Sequence, residues 1–390
     1  MKTLYISSKP CFPAIDGGCV ASLNFLTNLL NEGVDITYLT IGTRKHPFRL
    51  DAFPPDLRTK IKPSAVTIQT GINFFSAFIS LFNNKSYNIE RFFSEEVEAK
   101  ILDELSRSSY DIVLLDGLYV TPYIRQIRAK FDGKILVRTH NVEFKIWEDL
   151  AKNEKRSLKS WYLNKLAKDL KRYECSILKE ADGVITISND DSIQFDKLKI
   201  KNITSIPFTI EPSASVHDYS NQSLFHIGAM NWEPNIEAVQ YVLDLMPQLR
   251  SVDSQLEFII AGMHSKEKFQ SNPQDGIVVM GYVEDLERFA NNMGILITPV
   301  QSGSGVRIKI LEMMAQGVPI ITTSIGAQGL IDFEALRIAD TKAELLNAIH
   351  ELRINETSRS ELGLAAKRYI AKHHDPKTIR KKLIAFIQST

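Results

Sequence analysis

Arg307, Lys309 and Glu312 stand close together in the string GSGVRIKILEMMAQGVP, residues 303–319. Gly303 and Gly305 open the string and permit close backbone approach to a ligand. Ser304 between them reads as an N-cap, and a helix start offers unpaired N–H groups to an anion. Two cations in the first turns oppose the helix dipole, unless a phosphate or pyrophosphate lies against them. Glu312 sits among Ile310, Leu311, Met313 and Met314, where an unpartnered carboxylate is costly to bury. The alternative is that Lys309 and Glu312, three apart on one helical face, pair with each other while Arg307 is solvated. A dinucleotide-binding loop is not met, because its third glycine is missing, and neither is a P-loop, which needs GK[ST].

A second group of candidates follows the strand-like string KILVRT: Arg138, His140, Asn141 and Glu143. Polar residues at the carboxyl end of a parallel strand are where open α/β sheets bind ligands, although a single His is as readily structural. Gly17 and Gly18, in FPAIDGGCVAS, turn the chain into a helix or admit a ligand to its backbone.

The elements that must hold these residues alternate between strand and helix. TLYISS, DITYLTI, YDIVLLDG, KILVRTHN and DGVITIS read as buried parallel strands, with GGCVASLNFLTNLLNEG as a helix between the first two. IPFTIEPSASVHDYSNQS has a linker's composition, and the alternation restarts with LFHIGAM, LEFIIAG, GIVVMGYV, GILITPV and PIITTS. The fold class is therefore α/β with two Rossmann-like domains, and ligands are expected in the cleft where such domains face each other. A length of 390 residues agrees with two cores. The boundaries read as 1–206 and 207–374, with a closing amphipathic helix at about 375–390.

Composition narrows the function classes. The formal net charge is +1, with 44% hydrophobic and 24% charged residues, which argues against a general nucleic-acid binder. MKTLYISSKPCF lacks the apolar core of a signal peptide, and no run reaches membrane-spanning length. Cys11, Cys19 and Cys175 show no metal-like spacing and read as reduced thiols of a cytoplasmic protein. The eight His form no HExxH, so no metal and no cofactor are expected. The absence of an acid after TYLTIG counts against a nicotinamide enzyme.

The string GSGVRIKILEMMAQGVPIITTSIGAQGL resembles the signature of retaining family 4 glycosyltransferases, which have the GT-B fold. FHIGAMNWEPNIEAVQYVLDLMPQLR, LEFIIAG followed by VVMGYVEDL, and VRTHNVEFKIWEDLA agree with the same family in order and spacing. The resemblance implies a nucleotide-sugar donor on the C-terminal domain and an acceptor on the N-terminal one. It also implies a closing helix that crosses back to the N-terminal domain, and transfer that keeps the anomeric configuration without a metal. It places Glu312 on the ribose hydroxyls and Ser304 where the family's first glutamate stands. Arg307 and Lys309 then stabilise the leaving diphosphate, in a loop that also includes Gly303, Gly305 and Val306. The donor contacts it implies further include Gly17, Gly18 and Asn231, with Gly281, Tyr282 and Val283 at the base. His140 points toward the donor sugar, with Arg138, Asn141 and Glu143 on the acceptor side.

The expected activity is transfer from a UDP- or GDP-sugar to a glycan or lipid-linked saccharide. Two alternatives remain: a non-catalytic nucleotide-sugar-binding partner, and a nucleotide-sugar 2-epimerase, which needs an acid/base carboxylate pair of its own. GINFFSAFISLFNNK, residues 71–85, and the basic block 151–172 with Trp161 and Tyr162 add a further expectation. That expectation is peripheral contact with the inner face of a membrane; the alternative is a core helix beside a solvated one.

Overall fold

The computed structural model describes residues 1–71, 86–303 and 305–390. Residues 72–85 of the apolar string, and Ser304, lie outside the described residues. The chain divides into two compact units, one of Met1–Phe208 with Lys377–Thr390 and one of Thr209–Pro376.

The first unit is built on a parallel sheet of β1 (Lys2–Ser7), β2 (Asp35–Gly42), β3 (Ser64–Thr67), β4 (Ile112–Asp116), β5 (Lys134–Thr139), β6 (Gly183–Thr186) and β7 (Ile203–Ser205), in the order β3-β2-β1-β4-β5-β6-β7. The order reverses direction at β1, next to β4, the kind of switch point where strand ends open a crevice. Strand alternation sorts the side chains into two layers. Leu4, Ile6, Val113, Leu115, Ile135 and Val137 fill one; Tyr5, Ile112, Leu114 and Leu136 fill the other. Helix α1 (Gly17–Asn31) covers the second layer with Phe25, Leu26 and Leu29. Its N-cap is Asp16, whose carboxylate accepts from the Cys19 N–H at 2.8 Å.

Two further helices, α2 (Glu143–Asn153) and α3 (Ser157–Ile177), follow β5. In the second unit, β8 (Leu224–Ile227), β9 (Phe258–Ala261), β10 (Ile277–Gly281), β11 (Ile295–Thr298), β12 (Ile320–Thr322) and β13 (Arg337–Ile338) form a parallel sheet ordered β10-β9-β8-β11-β12-β13. Helices α4 (Glu233–Leu243), α5 (Leu286–Asn291) and α6 (Ile308–Gln316) follow β8, β10 and β11. The stretch read as a linker is fastened along part of its length: Arg359 Nε donates to Tyr219 O at 2.7 Å and Lys367 Nζ to Ser213 O at 3.0 Å.

The closing helix α7 (Pro376–Ser389) packs back on the first unit. Ile379, Leu383 and Ile387 recur every fourth position and join the layer of Leu136 and Ile185. Lys134 Nζ reaches the Ile387 and Gln388 carbonyls at 3.0 and 3.1 Å, a cation at the negative end of the helix dipole.

One local expectation is corrected. Helix α6 does not start at Ser304: Arg307 occupies the N-cap position, with φ −87° and ψ 93° and no side-chain cap bond. Gly303 at φ +94° and Gly305 at φ +85° hold the chain in left-handed conformations that a right-handed helix excludes, so helical geometry begins only at Ile308.

Candidate functional site

In the first unit, Asp116 ends β4 and Arg138 is its register partner in β5. Both point into the layer beneath α1, because even-numbered residues of these strands share that face. Asp116 is buried and has a donor on every side. Tyr5 Oη and Ser22 Oγ donate to its Oδ2 at 2.8 and 2.6 Å, and Arg138 Nη1 donates to its Oδ1 at 2.7 Å. Burial alone would raise the Asp116 carboxyl; Arg138, His140 and Ser22 reverse this and hold it well below the usual carboxylate range. Arg138 is buried too, with Nη2 on Ala21 O at 3.1 Å and its guanidinium 4.6 Å from the Phe25 ring centroid.

His140 stands at the rim of this node. Its Nε2 lies 2.8 Å from Asp116 Oδ1 and 2.9 Å from Arg138 Nη1. An ionised carboxylate only accepts, so the Nε2–H tautomer makes the Asp116 bond and Nδ1 is left as the ring's acceptor. Burial lowers the His140 pKa, against the pull of Asp116, so the ring is neutral near pH 7. Beyond it, Glu143 opens α2 and accepts from Tyr119 Oη at 3.0 Å. Burial raises the Glu143 carboxyl, with Tyr119 and Asn141 opposing. Glu174 of α3 accepts the Glu143 and Phe144 N–H groups at 3.2 and 3.1 Å, so one helix caps the start of another.

The glycine pair lies nearby. A side chain at Gly18 would meet Lys9 Nζ at 2.6 Å, so the missing Cβ makes room for the Lys9–Asp16 ion pair. Asp16, Cys19 and His46 have ligand atoms within 4.8 Å of one another. Asp16 is already engaged with Lys9 Nζ at 2.6 Å and His46 Nε2 at 2.9 Å, and burial pushes the Cys19 thiol up to about 11. These groups complete one another's bonding.

The second unit presents the opposite arrangement. Lys309, in the first turn of α6, donates to Asn235 Oδ1 at 2.6 Å and contacts His226 Nε2 at 3.2 Å. It forms no ion pair with Glu312 among the described residues. Burial, with help from Arg307, pushes the Lys309 ammonium down to about 7. Arg307 is buried and donates through Nη1 to Gly305 O at 2.9 Å and through Nη2 to Ser302 O at 3.3 Å; its guanidinium lies 5.5 Å from the Trp232 ring centroid. Burial lowers its pKa to about 10. Glu312 is half-buried, and burial raises its carboxyl to about 7. No hydrogen-bond donor among the described residues reaches it. Two cations and one carboxylate thus surround a helix N-terminus, and neither Lys309 nor Glu312 has an opposite charge among the described residues.

Other expected residues lie along the same strand ends. Asn231 is exposed in the loop after β8; Asn235, four residues on, carries the contact to Lys309. Gly281 ends β10 at φ +90°, and Tyr282 and Val283 line a cavity of about 270 Å³ together with Met280, Arg288 and Phe289. Val306 is half-buried beside Arg307. Sequence reasoning missed Asp116, His226 and Asn235. Asp116 had a signal, an acid closing the apolar run IVLL. His226 and Asn235 had none, since their roles depend on who faces them.

Two parallel Rossmann-like sheets, with a closing helix returned to the first of them, define a protein of the GT-B fold. Residues 221–355 match the model of the family glycosyl transferases group 1. Sucrose-phosphate synthase from Thermosynechococcus elongatus superposes with a TM-score of 0.69 at 14% identity, over 100% of this chain and 99% of that one. Anabaena HepE, solved with UDP, gives 0.66 at 14% identity over 100% of both chains, and its complex with UDP-glucose gives 0.64 at 13%. An uncharacterised protein in the cps region of Klebsiella pneumoniae is 23% identical over 282 residues, covering 69% of this chain and 72% of its own length.

Proposed function

We propose that this protein is a retaining, metal-independent glycosyltransferase that moves a sugar from a UDP- or GDP-sugar to a glycan or lipid-linked saccharide. The observation that carries this reading is that Lys309 and Glu312 of α6 meet no opposite charge among the described residues. Arg307 and Lys309 beside a helix N-terminus fit a diphosphate, and the half-buried Glu312 fits a pair of ribose hydroxyls, which would satisfy a carboxylate otherwise costly to enclose. The UDP and UDP-glucose bound by the HepE structures favour uridine over guanosine. Tyr282 and Val283 are assigned to the base, and the loop from Gly303 through Ser304 to Val306, with Asn231, to the rest of the donor.

The bond from the anomeric carbon to the diphosphate breaks, and the acceptor oxygen bonds that carbon on the same face. The acceptor proton passes to the departing phosphate oxygen. Arg307, Lys309 and the α6 N–H groups stabilise the charge that develops on the diphosphate. His140 is neutral and held through Nε2, so its Nδ1 is available to accept a hydrogen bond from a hydroxyl of sugar or acceptor. Glu143 and Asn141 are assigned to the acceptor, while Arg138 acts through Asp116 and His140.

Ser304, standing where the family's first glutamate is expected, supports a second reading, a nucleotide-sugar-binding partner without turnover. Incubation with a panel of UDP- and GDP-sugars and saccharide acceptors, read by mass spectrometry, separates the two. Transfer with retained anomeric configuration is expected; tight nucleotide binding with no hydrolysis or transfer from any donor would give the second reading precedence.

A peripheral membrane contact belongs to the same proposal. The turn between α2 and α3 exposes Leu150, Leu158 and Trp161 among Lys152, Lys155, Arg156 and Lys159, an apolar and cationic surface suited to anionic lipid. Among the described residues no helix is long and apolar enough to cross a membrane. Flotation with phosphatidylglycerol vesicles is expected to carry the protein at low salt and release it at high salt; protein left at the bottom of the low-salt gradient would exclude the contact.

A further inference from the structure

Lys309 is held by neutral groups whose hydrogen-bonding roles follow from their other contacts. His226, buried in β8, has Nδ1 3.0 Å from Ile297 O. A carbonyl only accepts, so Nδ1 carries the proton and Nε2 is the lone pair facing Lys309. Asn235 Nδ2 donates to Ala229 O at 2.9 Å, which turns Oδ1 toward the ammonium. Two of the three Lys309 N–H groups are thereby directed, and no third acceptor for Nζ is found among the described residues. The titratable groups on α6 and on the elements that supply its partners are Glu312 on α6 with Arg307 at its N-cap, His226 on β8, and Glu233, Glu237 and Tyr241 on α4; β11 contributes none. Of these acids, Glu237 accepts from Ser302 Oγ at 2.8 Å, and neither it nor the others lies within ion-pair distance of Lys309.

We propose that His226 and Asn235 are positioning residues that aim the Lys309 ammonium while leaving its charge unpaired, so that the donor diphosphate, and no protein carboxylate, is its counter-ion. This rests on the glycosyltransferase reading and adds to it the reason why the chain places an imidazole and an amide around Lys309. A protonated His226 would turn a second donor on the ammonium, and an acid at 235 would neutralise the site in advance.

Asn235→Asp is the sharpest test, because it changes charge at constant shape. Calorimetric titration with UDP is expected to show affinity lowered by about 10- to 100-fold, the range for displacing a hydrogen bond to a charged group; the variant gives up the Nδ2 bond to Ala229 O, and a cooperative melt is expected to show that it still folds. Asn235→Ala, which removes the Lys309 acceptor without adding a charge, is expected to lose affinity in the parent and to add less than about 2-fold in a Lys309→Met background, because residues that act as one unit are not additive. His226→Phe is expected to lose affinity in the same non-additive way, and His226→Gln, which retains an acceptor, to recover part of it. Equal losses in the presence and absence of Lys309 would overturn the positioning role while leaving the enzyme assignment intact. Failure of the unsubstituted protein to bind either UDP or GDP would instead remove the donor reading itself, and this inference with it.

Discussion

The two units carry charge clusters of similar make-up and opposite bonding. At the β4–β5 strand ends, Asp116 meets Arg138, His140, Tyr5 and Ser22 within 2.8 Å. At the start of α6, Arg307, Lys309 and Glu312 are close in sequence, yet Lys309 and Glu312 find no opposite charge among the described residues. The charges of the first cluster are paired as folded, and its product is one oriented imidazole. The second leaves Lys309 and Glu312 without an opposite charge among the described residues, and on the proposed function a diphosphate and ribose hydroxyls would complete it. A buried charge with partners holds a fold in place, whereas a buried charge without them is tolerated where binding supplies what is missing.

That contrast breaks most visibly at Asp116. Asp116→Ala leaves the Arg138 guanidinium buried without its counter-ion, and chemical denaturation is expected to show a loss of about 3–5 kcal/mol. Lys309→Met should do the reverse. Urea melts are expected to show unchanged or slightly raised stability, while kcat/KM for the donor falls by the equivalent of about 2–4 kcal/mol, the range for one charge-stabilising donor. Equal stability losses for the two variants would erase the distinction between the clusters.

Glu312→Gln is next in size. On the proposed ribose contact the amide lacks the charge that would hold the hydroxyls, and nucleotide affinity is expected to fall by about 1.5–3 kcal/mol at undiminished stability; 2′-deoxy-UDP should bind the variant and the parent more nearly alike. The smallest effect concerns pH. In the proposed donor complex Lys309 pairs with the diphosphate only when protonated, and its pKa lowered to about 7 by burial would make affinity decline as pH rises above that value. In the same complex Glu312 accepts from the ribose as a carboxylate, and its pKa raised to about 7 by burial would make affinity decline below that value. UDP affinity is therefore expected to pass through a maximum near neutrality. Lys309→Arg should remove the alkaline limb and Glu312→Gln the acid limb, as calorimetry across the pH range would record.

Much of the architecture was legible because strand and helix periodicities are local. IVLL, the ILV of KILVRT and the ILI of ILIT are apolar runs, and buried parallel strands require such runs. The start of α6 was misread for an equally local reason. Ser304 has the chemistry of an N-cap, but the positive φ of Gly303 and Gly305 is a property of the folded loop. Arg307, Lys309 and Glu312 were legible as a group because they stand close together in the chain; what each of them meets was not.

By itself, then, the sequence determined two α/β units, a glycine loop before a helix, and a carboxylate set into that helix's apolar face. Only the tertiary structure decided which charges are neutralised. Asp116 and Arg138 lie 22 positions apart and become one ion pair because parallel register brings them side by side. Lys309 meets His226 across 83 positions and Asn235 across 74, with no carboxylate between them. Spacing along a chain sets which face of an element a group occupies; its counter-ion comes from another element, through packing that no local pattern encodes.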